Sequence, residues 1–480
     1  MLTLSSLYIT VILTSVFIYY AVNKRFKPAV LFTASIIFIT VLSFKALIFA
    51  VILTTMNYFS GILLEKCKER RILRSVLFWS NILINIGTLV LCKTLSHCIN
   101  GFFPALSFNL TDTAAAYDYL IIPLGISYYS FQSIGYIIRI NRGAEKAEPD
   151  FIKFGTYLLF FPKFLSGPVI RSNHFFPQIN QPAGFEAESI HQGVRLLLWG
   201  LFKKIVIADT LGLPVMLVYN NMTTYSGAPL IFVLLIQVLY IYFDFSGYTD
   251  MAMGIARLFG ITVMDNFNRP FFARSVTDYW RRWHISLSSW CNDFIYYPFI
   301  IKFRKFENFA ITAGIFLTFF VVGIWHGFNL TFVILGILQG IAIIYEYYTK
   351  KYRFRIASGF SKGLVAVTSR VLVYLFISLS LVFFFSRNVP DASYFLSHLF
   401  SWQQGVLIPH ELIAEKSRLI IAFSCIILLL YLESLNEKGQ DVLAKYLRQP
   451  VWIQWLGYLV CIGLILLLYS GIASFYYMRF

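Results

Sequence analysis

The sequence predicts an all-α polytopic membrane protein, and three observations carry that prediction. Apolar residues make up 58% of the 480 positions and charged residues only 13%, with a mean hydropathy of +0.70; a soluble domain carries about 25% charge. Apolar runs of bilayer-spanning length recur along the chain, with no polar block between them that could form a soluble domain. The basic excess, 40 Lys and Arg against 23 Asp and Glu for a net +17, falls in the short loops between those runs. That pattern belongs to positive-inside topology and contact with anionic lipid. In a soluble chain it would suggest nucleic acid, but no helix-turn-helix, zinc-knuckle or RGG pattern accompanies it. The six cysteines form no C-x-x-C pair and read as small apolar fillers.

Taken in order, residues 2–22 form a first span. No basic stretch or small-residue cleavage site marks it as a signal peptide. Lys24, Arg25 and Lys27 follow and place that side in the cytoplasm. Residues 29–44 and 46–64 form a hairpin with Lys45 at its outer tip, and the basic run 65–74 returns to the cytoplasm. Residues 76–95 cross outward to a loop, 97–118, that holds no Lys or Arg. Residues 119–138 cross back. The next apolar run, 151–170, contains Pro162, Gly167, Pro168 and Lys163, so it reads as a broken, re-entrant segment. Apolar units follow at 195–219 and 230–256, then at 310–322, 330–348, 365–385, 419–432 and 452–470. This places residues 471–480 on the extracytoplasmic face. The whole chain, 1–480, reads as one polytopic domain of about 11–13 membrane-embedded segments.

Residues 266–327 depart from this regular pattern. They run N-F-N-R-P-F-F-A-R-S-V-T-D-Y-W-R-R-W-H-I-S-L-S-S-W-C-N-D-F-I-Y-Y-P-F and, after an apolar span, close on G-I-W-H-G. Charge at this density is costly in a bilayer unless it lines a wet cavity or binds something, and the aromatic content is too high for an ordinary loop. A helix in the interface, or one packed inside protein, satisfies both facts. A lone membrane histidine is as readily a buried group satisfied by a carbonyl as a functional one. Two Trp-His pairs in one basic, aromatic neighbourhood, Trp283-His284 and Trp325-His326, favour function, because imidazole exchanges a proton near neutrality. His97, His174, His191, His398 and His410 have no partner spacing. Asp244 and Asp250 read as structural hydrogen-bond acceptors. No metal-ligand spacing, phosphate-binding glycine loop or hydrolase elbow is present.

W-R-R-W-H-I-S-L-S, with F-N-R-P-F before it and G-I-W-H-G after it, resembles the membrane-bound O-acyltransferase superfamily, and within it the branch of the alginate O-acetyltransferase membrane subunit. G-I-S-Y-Y-S-F-Q-S-I-G-Y at 125–136, F-P-K-F-L-S-G-P-V-I-R at 161–171 and Y-F-D-F-S-G-Y-T-D-M-A-M-G at 242–254 agree in order. The resemblance covers residues 120–340. It implies helices and re-entrant segments around a central funnel, with a catalytic core at 120–340. His326 would be the main catalytic residue and His284 the second. Arg281, Arg282, Trp283 and Arg269 become candidate contacts for the acyl donor, joined by Arg274 and Lys163. The chain would take an acyl group from a cytoplasmic thioester, acetyl-CoA or an acyl carrier protein, with no tightly bound cofactor. It would serve O-acetylation of an extracytoplasmic polysaccharide, handing the group to an external SGNH-type transferase, from a bacterial cytoplasmic membrane.

The last residues read F-Y-Y-M-R-F. Such a tail just past a span is an ordinary interfacial anchor. It also fits F-x-Y-x-x-F and so resembles the carboxy-terminal motif of the small companion of the teichoic-acid D-alanyl transferase, which implies an acyl-carrier role for Tyr477. Two alternatives stay open beside acetyl transfer. One is D-alanyl transfer from a carrier protein. The other is a transporter or flippase, which would predict an internal repeat of broken helices, and the sequence has none.

Overall fold

The computed structural model describes residues 6–102, 125–165, 167–401 and 408–469. Among them there is no strand. Among the described residues nine helices are long and apolar enough to cross a membrane, which bears out the all-α polytopic reading. The chain divides into two compact units, residues 1–195 with 252–264, and residues 196–251 with 265–480.

The first unit contains α1 (Ser6–Ala21), α2 (Lys27–Leu42), α3 (Phe44–Lys66), α4 (Arg71–Phe102), α5 (Ile126–Asn141), α6 (Phe151–Leu159) and α7 (Ser172–Asn180). The α2–α3 hairpin turns on Ser43, whose hydroxyl caps α3 by accepting from the Ala46 N–H. Helix α4 continues to Phe102, six residues into the stretch expected to be a loop; no Gly or Pro lies between Gly87 and Gly101. Residues 103–124 lie outside the described residues. The interrupted segment is broken where expected. α6 ends at Leu159, a short turn follows over Phe161–Lys163, and the chain continues without helix. Pro162 supplies no N–H and cannot extend a helix. A second polar device joins α3 to α4 inside the apolar layer. Asn57, Asn81 and Asn85 are buried and hydrogen-bond one another at 3.0–3.2 Å, the kind of amide contact that ties membrane helices together.

The chain then forms α8 (Ala187–Phe202), a wide π-helical turn at Lys203–Ala208, and α9 (Asp209–Asn220). Helix α10 (Ala228–Leu258) belongs to the second unit up to Met251, and that unit adds α11 (Val276–Arg282), α12 (Ile285–Cys291), α13 (Tyr297–Lys302), α14 (Glu307–His326), α15 (Leu330–Ala357), α16 (Lys362–Phe385), α17 (Val389–Ser397), α18 (Lys416–Glu437), α19 (Val442–Leu447) and α20 (Val451–Leu468). Asp244 and Asp250 on α10 are structural, as expected, but they are ion-paired. Lys204 bridges Asp244 at 2.7 Å and Asp209 at 2.8 Å, and Lys203 meets Asp250 at 2.7 Å. Charges at these buried positions persist because each has its counter-ion.

α14 and α15 touch backbone to backbone. A Cβ on Gly323 would lie 2.5 Å from the Phe332 carbonyl oxygen, and one on Gly336 would lie 2.4 Å from that of Phe319. Small residues at such a crossing let two spanning helices approach closely. Gly323 is one turn before His326, so this contact also sets where that histidine sits.

Candidate active site

The site grows from α11 and α12. Each has only seven residues, too few for a helix to be stable alone. Neighbours therefore hold them. Ser275 caps α11 by accepting from the Asp278 N–H at 3.0 Å. Glu346, on the spanning helix α15, accepts from the Val276 N–H at 2.6 Å, the Thr277 N–H at 2.9 Å and the Thr277 hydroxyl at 2.7 Å. A carboxylate at a helix N-terminus meets both the orphan donors and the positive end of the dipole. In the middle, Trp280 Nε1 donates to Gln339 Oε1 at 3.0 Å, and Gln339 Nε2 donates to Ser380 Oγ at 2.8 Å. At the C-terminus, Arg282 grips both oxygens of Glu437 on α18 at 3.0 and 3.1 Å and also donates to Asp278. Two spanning helices thus pin one short helix, and a third, α16, holds the Gln339 side chain through Ser380.

Beyond Arg282 the chain turns sharply. His284 is in the left-handed region, φ 45° and ψ 50°, an uncommon conformation for a residue with a side chain and one that costs ~1–3 kcal/mol. A returning segment holds it there. The Asn268 N–H donates to the Arg282 carbonyl, and the Ile285 N–H to the Asn266 carbonyl, both at 2.9 Å. His284 is buried, with Nδ1 3.2 Å from Asn266 Oδ1. Burial pushes its imidazole down to about 3, so it is neutral at physiological pH.

His326 is the last residue of α14. Its ring packs against Trp325 (4.6 Å between centroids), Phe384 (5.4 Å) and Phe332 (6.1 Å). Trp325 in turn meets the His284 ring edge-on at 6.1 Å. The two histidines therefore flank one indole, and the two Trp-His pairs do converge. Trp280, Trp283, His326, Gln339, Ser380 and Phe384 line part of a cavity of about 50 Å³. Among the described residues, no carboxylate lines it.

The candidate donor contacts separate. Trp283 is buried, stacks on Tyr279 and faces the cavity. Arg281 is exposed. Arg282 and Arg269 converge on Glu437, Arg269 at 3.5 Å, so both guanidinium groups are engaged within the protein. Lys163, in the other unit, is buried and donates to the Tyr157 carbonyl at 2.6 Å. Arg274 is exposed. His398 Nδ1 donates to the Tyr394 carbonyl at 3.0 Å and its ring stacks on that of Tyr394, as a structural histidine would. Tyr477 lies outside the described residues. Among the described residues no cluster of His, Cys, Asp or Glu could hold a metal ion. Sequence reasoning missed Asn266, Glu346, Gln339 and Glu437. Each is an ordinary polar residue whose partner is 18 to 155 positions away, and only Asn266, inside the signature stretch, carried any signal.

The family model of the membrane-bound O-acyltransferases matches residues 140–386. A probable alginate O-acetylase of Pseudomonas syringae is 29% identical over 430 residues, covering 85% of this chain and 77% of that protein. A peptidoglycan O-acetyltransferase of Helicobacter pylori is 28% identical over 411 residues, 78% of this chain and 73% of its own. A teichoic acid D-alanyltransferase of Bacillus subtilis is 28% identical over 246 residues, 49% of this chain and 62% of its own.

Proposed function

The chain belongs to the membrane-bound O-acyltransferase family and is a multi-pass membrane O-acyltransferase; from that premise we propose that it moves acetyl groups from acetyl-CoA on the cytoplasmic side for O-acetylation of an extracytoplasmic or cell-wall polysaccharide. The relatives named above for acetyl transfer act on alginate and on peptidoglycan, which supports a glycan as the final acceptor. The observation that carries the choice of acyl group is the cavity beside His326. Its volume of about 50 Å³ is room for roughly four waters. That suits a two-carbon acyl group. A D-alanyl group would also bring an ammonium into it, and a buried ammonium needs an anionic partner. No carboxylate lines the cavity among the described residues.

In this reading His326 is the general base. It takes the proton of the attacking hydroxyl as that oxygen bonds to the thioester carbonyl carbon; the C–S bond breaks, and the proton passes to the departing thiolate. His284 is the second catalytic residue, a neutral imidazole on the other side of Trp325. Trp283 forms part of the acyl-group wall. Arg281, exposed and without a hydrogen bond or ion pair among the described residues, is the better candidate for donor phosphates, while Arg282 and Arg269 act by holding α11 in place. Tyr477 accepts the acetyl group outside and passes it to an extracytoplasmic SGNH-type transferase. A phenolic ester suits a relay, because phenoxide, with a pKa of about 10, is a better leaving group than an alkoxide.

The test is Tyr477→Phe in membrane vesicles supplied with labelled acetyl-CoA, which keeps the ring and removes the nucleophile. The wild-type C-terminal peptide should carry a hydroxylamine-labile acetyl group and the variant none, with polysaccharide acetylation lost and protein level unchanged. Wild-type acetylation in the variant sinks the relay. Use of a D-alanyl carrier protein and refusal of acetyl-CoA sinks the choice of acyl group.

A further inference from the structure

We propose that Asn266 is a positioning residue that fixes the tautomer of His284, leaving Nε2 as the lone-pair nitrogen of that imidazole. Ser286 fixes which end of the carboxamide faces the histidine. Asn266 is buried, and one terminal atom of its side chain is 3.2 Å from the Ser286 backbone nitrogen and 2.7 Å from the Ser286 hydroxyl. A backbone N–H can only donate, so that terminal atom is the carbonyl oxygen. The same oxygen is 3.2 Å from His284 Nδ1. A carboxamide oxygen cannot donate, so Nδ1 must carry the hydrogen. In a neutral imidazole the other nitrogen, Nε2, then holds the lone pair and acts as acceptor or base.

The backbone makes this contact non-optional. Asn266 reaches His284 with its side chain and Ile285 with its carbonyl, so it bonds to both sides of the left-handed turn. The ring stays neutral because burial lowers its proton affinity, opposed only by a hydrogen bond to its own backbone. The groups around it agree. Phe245 and Trp325 pack on the ring, and Ser286 and Asn266 are uncharged. Asp278 and Arg282 on α11 pair with each other, Asp244 on α10 pairs with Lys204, and His326 lies beyond Trp325. A conserved shape with a changed charge, Asn266→Asp, should therefore be the informative change. The carboxylate still accepts from Ser286 and from Nδ1–H, but it favours the imidazolium and should raise the histidine pKa by about 1–3 units.

This proposal rests on the catalytic reading of His284, and the experiment separates the two. The first measurement is ¹⁵N NMR of the histidine-labelled full chain in lipid, with the His284 signal assigned by its loss in His284→Gln. The expected result is Nδ1 protonated and Nε2 bare in the wild type; a protonated Nε2 overturns the proposal. The second is the pH profile of acyl transfer. In Asn266→Asp the acid limb should move upward by about 1–3 pH units, with kcat affected more than KM and activity recovered on the alkaline side. A profile superimposing on the wild type overturns it. Should Asn266→Asp be inactive at every pH, an NMR titration of that same variant decides: an imidazolium that forms about 1–3 pH units above the wild type supports the proposal, and a titration superimposing on the wild type overturns it. Full activity of His284→Gln would instead sink the catalytic reading of His284 and leave the tautomer result standing.

Discussion

The two Trp-His pairs, 42 residues apart in sequence, meet at one indole but are built by opposite means. Trp325-His326 ends a 20-residue spanning helix. Its place follows from apolar propensity and from one close crossing at Gly323 and Gly336. Trp283-His284 is the joint between two seven-residue helices, in a left-handed conformation that nothing local favours. It is held by Glu346, Gln339, Glu437 and Asn266, all distant in sequence or outside either helix. A pair at the end of a long helix needs little support. A pair at a strained joint inherits the fate of every residue that clamps it. Changes to His326 should therefore act through chemistry alone, and changes around His284 through geometry as well.

The largest effect belongs to His326→Asn. Loss of a general base costs ~10²–10⁴-fold in turnover, and because α14 is set by its own packing, insertion and protein level should match the wild type. Acyl transfer and immunodetected protein are measured together. Turnover within a few-fold of wild type would remove His326 from the chemistry. His284→Ala should fall short of that loss, near ~10², with residual turnover, since the base proposed at His326 remains. Equal and complete loss from both histidines would make them one acid–base unit and erase the contrast.

What was legible in the sequence divides along the same line. Hydropathy located the spans because a lipid-facing helix announces itself locally, and Pro162 marked the broken segment for the same reason. Boundaries slipped where charge misled. α15 runs to Ala357, past the expected end at residue 348, because Lys350, Lys351, Arg353 and Arg355 are good helix formers whose long side chains reach the interface. The histidines were legible because imidazole is rare and chemically distinctive in an apolar stretch. The clamps were not. Arg282 and Arg269 drew attention as cations beside an aromatic run, yet their shared partner Glu437 is at the end of α18, 155 residues beyond Arg282. No periodicity links those positions, so a pattern of donor-binding arginines and a pattern of structural arginines look alike until the chain is folded.

That ambiguity gives the smallest and most discriminating prediction. Glu437→Gln removes the charge that Arg282 and Arg269 share but keeps the side chain's length and one acceptor oxygen. The pair is bidentate and only partly exposed, with side chains 19% and 25% accessible for Arg282 and Glu437, so its loss should cost ~1 kcal/mol. As a barrier this is about fivefold in rate. If the arginines act by holding α11, the loss appears in kcat, through a displaced His284 joint, with KM for the acyl donor nearly unchanged. If they bind donor phosphate, freeing them from Glu437 should strengthen that contact and lower the donor KM. Arg282→Lys sharpens the comparison, because a lysine retains the charge for a phosphate and loses the two-pronged grip on a carboxylate. A structural clamp predicts that Arg282→Lys and Glu437→Gln behave alike, each lowering kcat a few-fold. A donor-binding arginine predicts that they differ, with Arg282→Lys mild and Glu437→Gln acting on KM. Steady-state kinetics of both variants in the same vesicles tells which arrangement the joint depends on.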